Sequence, residues 1–282
     1  MTGHAGSPVV SPVTSPDVSA GRPPLRLLLL GGLAAVALVV PLVALVVDAP
    51  WDRLLGLVSS PASRAALWLS LWTSTVTAVL CLLLGIPLAW LLARVPFPGR
   101  SLLRGLVTVP LVLPPVVAGV ALLSAFGRTG LLGTPLRELL GVQIPYTSTA
   151  VVLSHVFVAL PFFVITVEGA FRGTPIELET TAATLGADRW TTFRRVTLPL
   201  ALPGVLAGTV LAWARSLGEF GATITFAGNY PGSTRTMPLE VYTQLQADRD
   251  AAVALSVLLL VVCVAVLALL RDRWLHGLQG PR

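Results

Sequence analysis

Long apolar stretches separated by short polar ones make up most of this 282-residue chain. Six of the stretches have about the 20 residues that a helix needs to cross the hydrocarbon core of a bilayer. A helix that is apolar on every side suits lipid or a protein interior rather than water. The pattern predicts an all-α polytopic membrane protein with six transmembrane helices, over residues 25–47, 65–93, 105–127, 148–167, 196–217 and 251–270.

The segment before the first apolar stretch has a different composition. Residues 1–24 are rich in Pro, Ser and Gly, so they are predicted to form a disordered cytoplasmic tail before a membrane domain over residues 25–275. The first stretch is longer than the roughly 7–15 apolar residues of a secretory signal. In addition, Pro50 follows Ala49, the only plausible cleavage residue. The stretch is therefore interpreted as a membrane-spanning helix.

Charge is scarce and unevenly distributed. Charged residues make up 11% of the chain, against about 25% in soluble domains, which argues against a nucleic-acid-binding protein. All 19 basic residues are Arg, and twelve of them fall on one side of the predicted membrane. Because cytoplasmic loops carry the excess of positive charge, both termini are predicted to be cytoplasmic.

The residue types exclude several kinds of chemistry. Without Lys the chain has no G-x-x-x-x-G-K-[ST] phosphate loop, so a nucleotide that drives it must bind to another chain. The three His and two Cys are scattered without metal-ligand spacing, which predicts no metal site and no cofactor in this chain. Since the sequence shows no cluster of nucleophile and base, the protein is not expected to be an enzyme.

Proline is concentrated in the third predicted span. Pro110, Pro114 and Pro115 fall close together, and each removes a backbone donor, which forces a kink or a break. In a membrane such a break is tolerated where protein or a water-filled path covers it. Two interpretations stay open: a bent packing helix, or a helix whose Pro114 and Pro115 line a translocation pathway.

The loop over residues 168–199 carries its own helix signals. Thr174, Pro175 and Glu177 have the spacing of a capping box with Pro at the first helical position. Gly186 is a natural end for this helix, and Asp188 can cap a second one. The spacing predicts a short helix, a glycine turn and a re-entry helix at the membrane surface. An ordinary amphipathic loop at the interface is the alternative.

This loop resembles the cytoplasmic motif of permease subunits of bacterial ABC importers, in which Glu-Ala-Ala is followed by Gly and then by Ile-x-Leu-Pro. The acid of the motif, Glu179, stands one residue earlier here than strict spacing requires. The resemblance implies that the loop docks in a groove on an ATPase. The coupling residues that it implies are Glu179, Ala182, Ala183, Gly186, Val196, Leu198 and Pro199.

Further strings look like those of molybdate permeases, and the resemblance covers about residues 65–270. It implies the type I ABC importer fold, a bacterial cell membrane location, a permease homodimer, two ATPase subunits that bind ATP and Mg, and an external solute-binding protein. Sulfate and thiosulfate permeases share much of the pattern. The strings are Phe97–Gly99, Pro110–Val117, Ala182–Ala187, Ala214–Phe226 and Gly232–Thr236.

Candidate pathway residues follow at the outer end of the fifth span. Arg215 and Glu219 stand four apart, so in a continuing helix they share a face and can pair. Ionisable residues at membrane depth are candidates for a functional site, and a purely structural ion pair is the alternative. Thr223 and Thr225 carry hydroxyls that suit a hydrated oxyanion, or that bond to the backbone instead.

These patterns together predict the transmembrane permease subunit of an ATP-driven oxyanion importer working by alternating access. Molybdate is the favoured substrate, with sulfate, thiosulfate or tungstate as alternatives. Membrane lipid is an expected partner and nucleic acid is not. An autonomous secondary transporter is less favoured, because it needs a coupling-ion site near the midplane and no Asp or Glu lies deep within the six predicted spans.

Overall fold

The computed structural model describes residues 25–278, with side chains described as far as Val266 and at Ala268. The predicted tail, residues 1–24, lies outside the described residues. Every regular element in the described range is helical, which confirms the all-α prediction. The chain divides after Val47 into two units. The first unit contributes helix α1 (Leu25–Val47), an apolar helix with Pro41 inside it.

The second unit contains the remaining described helices, with a π turn at Phe193–Thr197 between α9 and α10. Within the described residues, five helical stretches are long and apolar enough to cross a membrane: α1, α3, α7, the continuous stretch of α9 and α10, and α13. The bounds are α2 (Leu54–Val58), α3 (Pro61–Arg94), α4 (Arg100–Val112), α5 (Pro115–Phe126), α6 (Gly133–Leu140), α7 (Ser148–Gly173), α8 (Ile176–Thr184), α9 (Arg189–Thr192), α10 (Leu198–Leu217), α11 (Gly221–Phe226), α12 (Met237–Ala247) and α13 (Arg249–Leu278).

The third predicted span, residues 105–127, is two helices rather than one. Helix α4 ends at Val112, Leu113 and Pro114 adopt extended backbone, and α5 begins at Pro115. Proline is well suited to the first position of a helix, where its missing N–H has no partner in any case. The prolines therefore break the helix instead of bending it, and neither half spans a membrane alone.

The core of the second unit lies where α3, α7 and α10 pack together. Its buried side chains include Cys81 from α3, Phe163 from α7 and Ala212 from α10. Small residues let helices approach closely, as in other membrane bundles. A Cβ on Gly204 of α10 would lie 2.3 Å from the Cβ of Ala170 on α7, so these two helices meet at the level of the backbone.

Helices α3 and α7 finish at the same end of this core. Arg94, the last residue of α3, donates from Nη2 to the Thr174 carbonyl just after α7, over 2.8 Å. Because α8 follows there, we call this the α8 end. At the opposite end α7 begins, and the Ser148 hydroxyl donates to the Ser233 carbonyl, 2.7 Å away, in the loop between α11 and α12.

Candidate translocation and coupling sites

Two helix breaks lie against each other and form the first candidate site. One break separates α4 from α5 at Leu113 and Pro114, and the other separates α10 from α11 between Leu217 and Gly221. A Cβ on Gly221 would lie 2.4 Å from the Cβ of Pro115. We call this pair the paired breaks. The structure thus brings together candidate pathway residues from distant parts of the sequence.

Arg215 and Glu219 form an ion pair across the second break. Arg215 Nη1 lies 2.7 Å from Glu219 Oε2, and the side chains are 29% and 1% exposed. The other carboxylate oxygen, Oε1, accepts the backbone N–H of Ala222 over 2.9 Å. Glu219 therefore joins the last turn of α10 to the first turn of α11, while Arg215 keeps part of its surface open. The guanidinium also lies 5.9 Å from the ring centre of Phe162, within the range of a cation–π interaction.

The two candidate threonines of α11 already have partners for their hydroxyls. Thr223 is buried, and its Oγ1 lies 3.4 Å from the Oγ of Ser154 on α7. Thr225 donates to the Gly221 carbonyl over 2.9 Å, and a Cβ on Gly119 of α5 would come within 2.5 Å of its Cβ. Of the two interpretations, the structure therefore favours hydroxyls that are hydrogen-bonded within the protein over hydroxyls that are free to contact a hydrated oxyanion.

The second candidate site is the α8 end, where Gly186 makes the predicted turn. Its φ is +89°, a conformation that glycine adopts without a Cβ penalty. The N–H of Gly186 donates to the Ala183 carbonyl, and that of Ala187 to the Ala182 carbonyl, each over 3.0 Å. This is the Schellman pattern for ending a helix. No atom lies within 4 Å of a Cβ built on Gly186, so the turn projects from the fold.

Asp188 caps the second helix of this region, as predicted. Its Oδ1 accepts the backbone N–H of Thr191 over 3.1 Å. Hydrogen bonds from the Thr191 side chain and backbone stabilise the carboxylate, so they lower the pKa of Asp188 from its ordinary value. The cap fixes the start of α9 immediately after the glycine turn.

The capping box predicted for Thr174 is wrong. Thr174 ends α7, its Oγ1 donates back to the Ala170 carbonyl over 3.2 Å, and Pro175 precedes α8 without a side-chain cap. Glu179 has a different role from a cap. Its Oε1 lies 2.9 Å from Arg94 Nη2 and accepts from Arg94 Nε over 3.1 Å. Arg94 thus ties α8 to the end of α3.

Val196, Leu198 and Pro199 lie within one continuous helix that runs from Arg189 to Leu217. Proline cannot donate a backbone hydrogen bond, and its ring clashes with the preceding helical turn. The helix widens into the π turn just before Pro199, where the Leu198 N–H reaches back to the Phe193 carbonyl. The widened turn therefore lets this helix pass the proline without breaking.

An ion cluster around the buried Glu168 was not predicted from the sequence. Glu168 of α7 is 8% exposed, and its Oε1 lies 2.8 Å from Arg104 Nη2 and 2.7 Å from Arg172 Nη2. Arg104 and Arg100 also donate to carbonyls in the last turn of α3, with Leu92 common to both. The spacing of four between Glu168 and Arg172 is the signal in the sequence. The cluster anchors α4 to α3 and α7.

Among the described residues, no group of three His, Cys, Asp or Glu is placed to hold a metal ion. His155 lies buried on α7, and within the described chain neither ring nitrogen has a hydrogen-bond partner. Its position does not create a set of metal ligands.

Comparison with known proteins is consistent with this arrangement. The molybdenum transport system permease protein ModB of Mycobacterium tuberculosis is 54% identical over 239 residues, which are 84% of this chain and 89% of that protein. ModB of Escherichia coli K12 is 43% identical over 226 residues, 80% of this chain and 98% of that protein.

The fold itself matches a crystal structure of a bacterial ABC transporter involved in the import of the acidic polysaccharide alginate. The TM-score is 0.72 at 19% identity, covering 89% of this chain and 95% of that chain. Residues 85–279 match the family described as binding-protein-dependent transport system inner membrane component. This chain belongs to that family of multi-pass, inner-membrane permease subunits of ABC importers.

Proposed function

We propose that this chain is the permease subunit of an ATP-driven molybdate importer that works by alternating access. Two relatives named for molybdenum transport, at 54% and 43% identity, support the substrate. One structural observation supports the mechanism. The exposed Gly186 turn leads directly into the helix that runs without a break to Arg215 and Leu217, beside the paired breaks.

The proposed assembly has two copies of this permease, two ATPase subunits that bind ATP and Mg, and an external solute-binding protein. ATP hydrolysis belongs to the ATPase subunits in this scheme, and the permease itself is not an enzyme. Helix α8 contains no buried residue, and Leu185 beside the turn is 84% exposed. An exposed apolar group on a projecting turn suits docking into a groove of the ATPase.

The Arg excess on one side supports an orientation with both termini in the cytoplasm. In that orientation the α8 end faces the ATPase and the loop between α11 and α12 faces outward. We expect a Cys placed at Gly186 to be shielded from a membrane-impermeant thiol reagent in intact cells, and one at Ser233 to react. Both native Cys residues would first be replaced by Ala. The reverse labelling pattern would contradict the orientation.

Substrate uptake tests the function directly. Cells lacking this gene should lose molybdate uptake, and the gene expressed together with its ATPase and binding protein should restore it. Excess tungstate and sulfate would be added in separate competitions to separate the candidate oxyanions. Restored sulfate uptake without molybdate uptake would overturn the substrate proposal while leaving the importer mechanism intact.

The Arg215–Glu219 pair tests the pathway. We propose that Arg215, with part of its surface open, lends positive potential to the anion's route, while Glu219 limits how tightly the anion is held. Glu219→Gln keeps an oxygen for the Ala222 N–H, so the double variant Arg215→Gln with Glu219→Gln removes both charges without leaving a buried carboxylate unpaired.

The double variant should reach the membrane normally and hydrolyse ATP with its ATPase, yet transport molybdate slowly. The single Arg215→Gln variant should be less stable than the double variant, because Glu219 keeps its buried charge. Normal uptake by the double variant, at a normal amount in the membrane, would show that the pair is purely structural.

A further inference from the structure

Two cavities of opposite character adjoin at the α8 end. One is an apolar groove of about 490 Å³ between α3 and α9. The other is a cavity of about 470 Å³ between α3, α8 and α9 whose lining includes an ion pair and several hydroxyls. Trp90, Arg189 and Phe193 line both. A molecule that occupied both spaces would need an apolar part and a polar part joined near Arg189.

The groove runs along α3, one of the helices that are long and apolar enough to cross a membrane. One wall of the groove, about two to three helical turns before Arg94 at the end of α3, is lined by Leu82, Leu83, Ile86 and Pro87. On the other wall Trp190 is 65% exposed and stacks on the Phe193 ring with 5.7 Å between centroids. Tryptophan is enriched at membrane–water interfaces. With α3 spanning the membrane, the groove would start at the interface beside Trp190 and extend toward the hydrocarbon region.

The polar cavity contains the Arg94–Glu179 ion pair, whose charges balance, together with the side chains of Thr180, Thr192 and Thr197. Arg189 stands at its junction with the groove, and no carboxylate of the described chain lies within ion-pair distance of it. The charge left for a ligand at the junction is therefore positive.

We propose that these cavities bind an anionic phospholipid of the phosphatidylglycerol type. One acyl chain lies in the groove, the phosphate pairs with Arg189, and the hydroxyl-bearing headgroup enters the polar cavity. A segment of the ATPase fits less well, because a soluble subunit does not reach the depth of Leu82 and Leu83. A helix of a second permease copy would fill the groove but would leave Arg189 without an anion. The bound lipid would brace α9 against α3 next to the coupling turn.

Lipid retention by the permease–ATPase complex tests the proposal. The complex would be purified from membranes containing phosphatidylglycerol and phosphatidylcholine, and bound lipids counted by native mass spectrometry. The variants are Arg189→Gln for the phosphate contact and Leu83→Trp to fill the groove. The matched controls are Arg64→Gln, an exposed Arg at the other end of α3, and Leu84→Trp, an exposed neighbour outside the groove.

Arg189→Gln should lower phosphatidylglycerol retention about fivefold, the effect of one interfacial Arg on an anionic lipid. Leu83→Trp should lower retention of the same lipid, and both controls should retain it as the wild type does. Equal retention in Arg189→Gln and Arg64→Gln would overturn the proposal. So would a cross-link from the Leu83→Cys variant to a second permease copy, since that would place protein in the groove.

A fluorescence measurement keeps the test independent of purification. Brominated phosphatidylglycerol should quench the fluorescence of the wild type more than that of Trp190→Phe. When the groove is filled by Leu83→Trp, replacing Trp190 with Phe should no longer change the quenching. The Leu84→Trp variant serves to correct for the fluorescence of the added Trp. Equal quenching by brominated phosphatidylcholine would show that any lipid fills the groove and would overturn the specificity for an anion. Neither readout depends on which oxyanion the importer carries.

Discussion

The α8 end and the paired breaks both depend on a glycine, for opposite reasons. Gly186 has a φ of +89° and nothing within 4 Å of its Cβ position, so it is required by backbone conformation on an open surface. Gly221 has no positive φ, but a Cβ there would be 2.4 Å from the Cβ of Pro115. Glycine is required at position 221 because the packing against Pro115 leaves no room for a side chain. The turn at the α8 end is therefore open around its glycine, whereas the paired breaks are closely packed around theirs.

The largest effect should come from Gly221→Ala in the paired breaks. The added methyl overlaps Pro115, and overpacking of this kind costs about 1–3 kcal/mol, so we expect a lower midpoint of thermal unfolding, less permease in the membrane and little uptake. Gly218→Ala is the matched control, because its new Cβ would meet only the Ala214 carbonyl oxygen, at 3.8 Å. Equal membrane levels for the two variants would show that the breaks are loosely packed.

Gly186→Val should leave the protein in the membrane and remove its coupling. A β-branched residue at positive φ costs roughly 1–2 kcal/mol, and its side chain would project from a turn that we propose docks in the ATPase. Co-purification of the ATPase and molybdate uptake should both be lost, while the amount of permease stays near normal. Gly186→Asn is the control, since Asn tolerates this conformation better, and it should keep more activity. Full ATPase binding by the Val variant would contradict the coupling role.

A smaller effect is expected when α8 is released from α3. Arg94→Ala removes both the bond to Glu179 and the bond to the Thr174 carbonyl, so it should weaken ATPase binding more than Glu179→Ala does. A double-mutant cycle on thermal stability should give a coupling energy of about 1 kcal/mol. A coupling energy of zero would show that the Arg94–Glu179 ion pair does not hold α8 in place.

The smallest effect concerns the Asp188 cap and its dependence on pH. A carboxylate whose pKa is lowered by folding contributes stability that is complete above its unfolded pKa of about 3.9 and is lost as pH falls through the folded value. Hydrogen-exchange protection at Thr191 should therefore be lower in Asp188→Ala than in wild type at neutral pH. The difference should shrink in acid. Asp188→Asn keeps the acceptor without the charge, so its protection should change less with pH.

Much of the fold was predictable because hydrophobic length and glycine chemistry are local properties. The apolar runs indicated the membrane helices, and the glycine turn and the Asp188 cap were confirmed where their residue types placed them. The Pro-rich segment left a kink and a break both open. The structure decides for a break, because Pro115 can start a helix more easily than it can continue one.

The rest depended on contacts between distant segments. Thr174 has the spacing of a cap, but its hydroxyl bonds back into α7 and its carbonyl is taken by Arg94, 80 residues earlier. No local pattern pairs Glu179 with Arg94, or sets Gly221 against Pro115. The candidate pathway residues were predicted individually from their residue types. Only the folded structure shows that the hydroxyls of Thr223 and Thr225 are hydrogen-bonded to neighbouring groups and that the Arg215 side chain is partly exposed.

The π turn at Phe193–Thr197 has a mechanical consequence. It keeps the axis from Arg189 to Leu217 continuous over 29 residues, a length of about 43 Å at the helical rise. In the proposed mechanism, a twist applied where the ATPase docks would reach Arg215 through one unbroken helix, which also contains Pro203. A hinge at Pro199 would have absorbed the same twist locally. The extra residue in the wide turn also changes the register between the side chains that precede it and those that follow it along the helix.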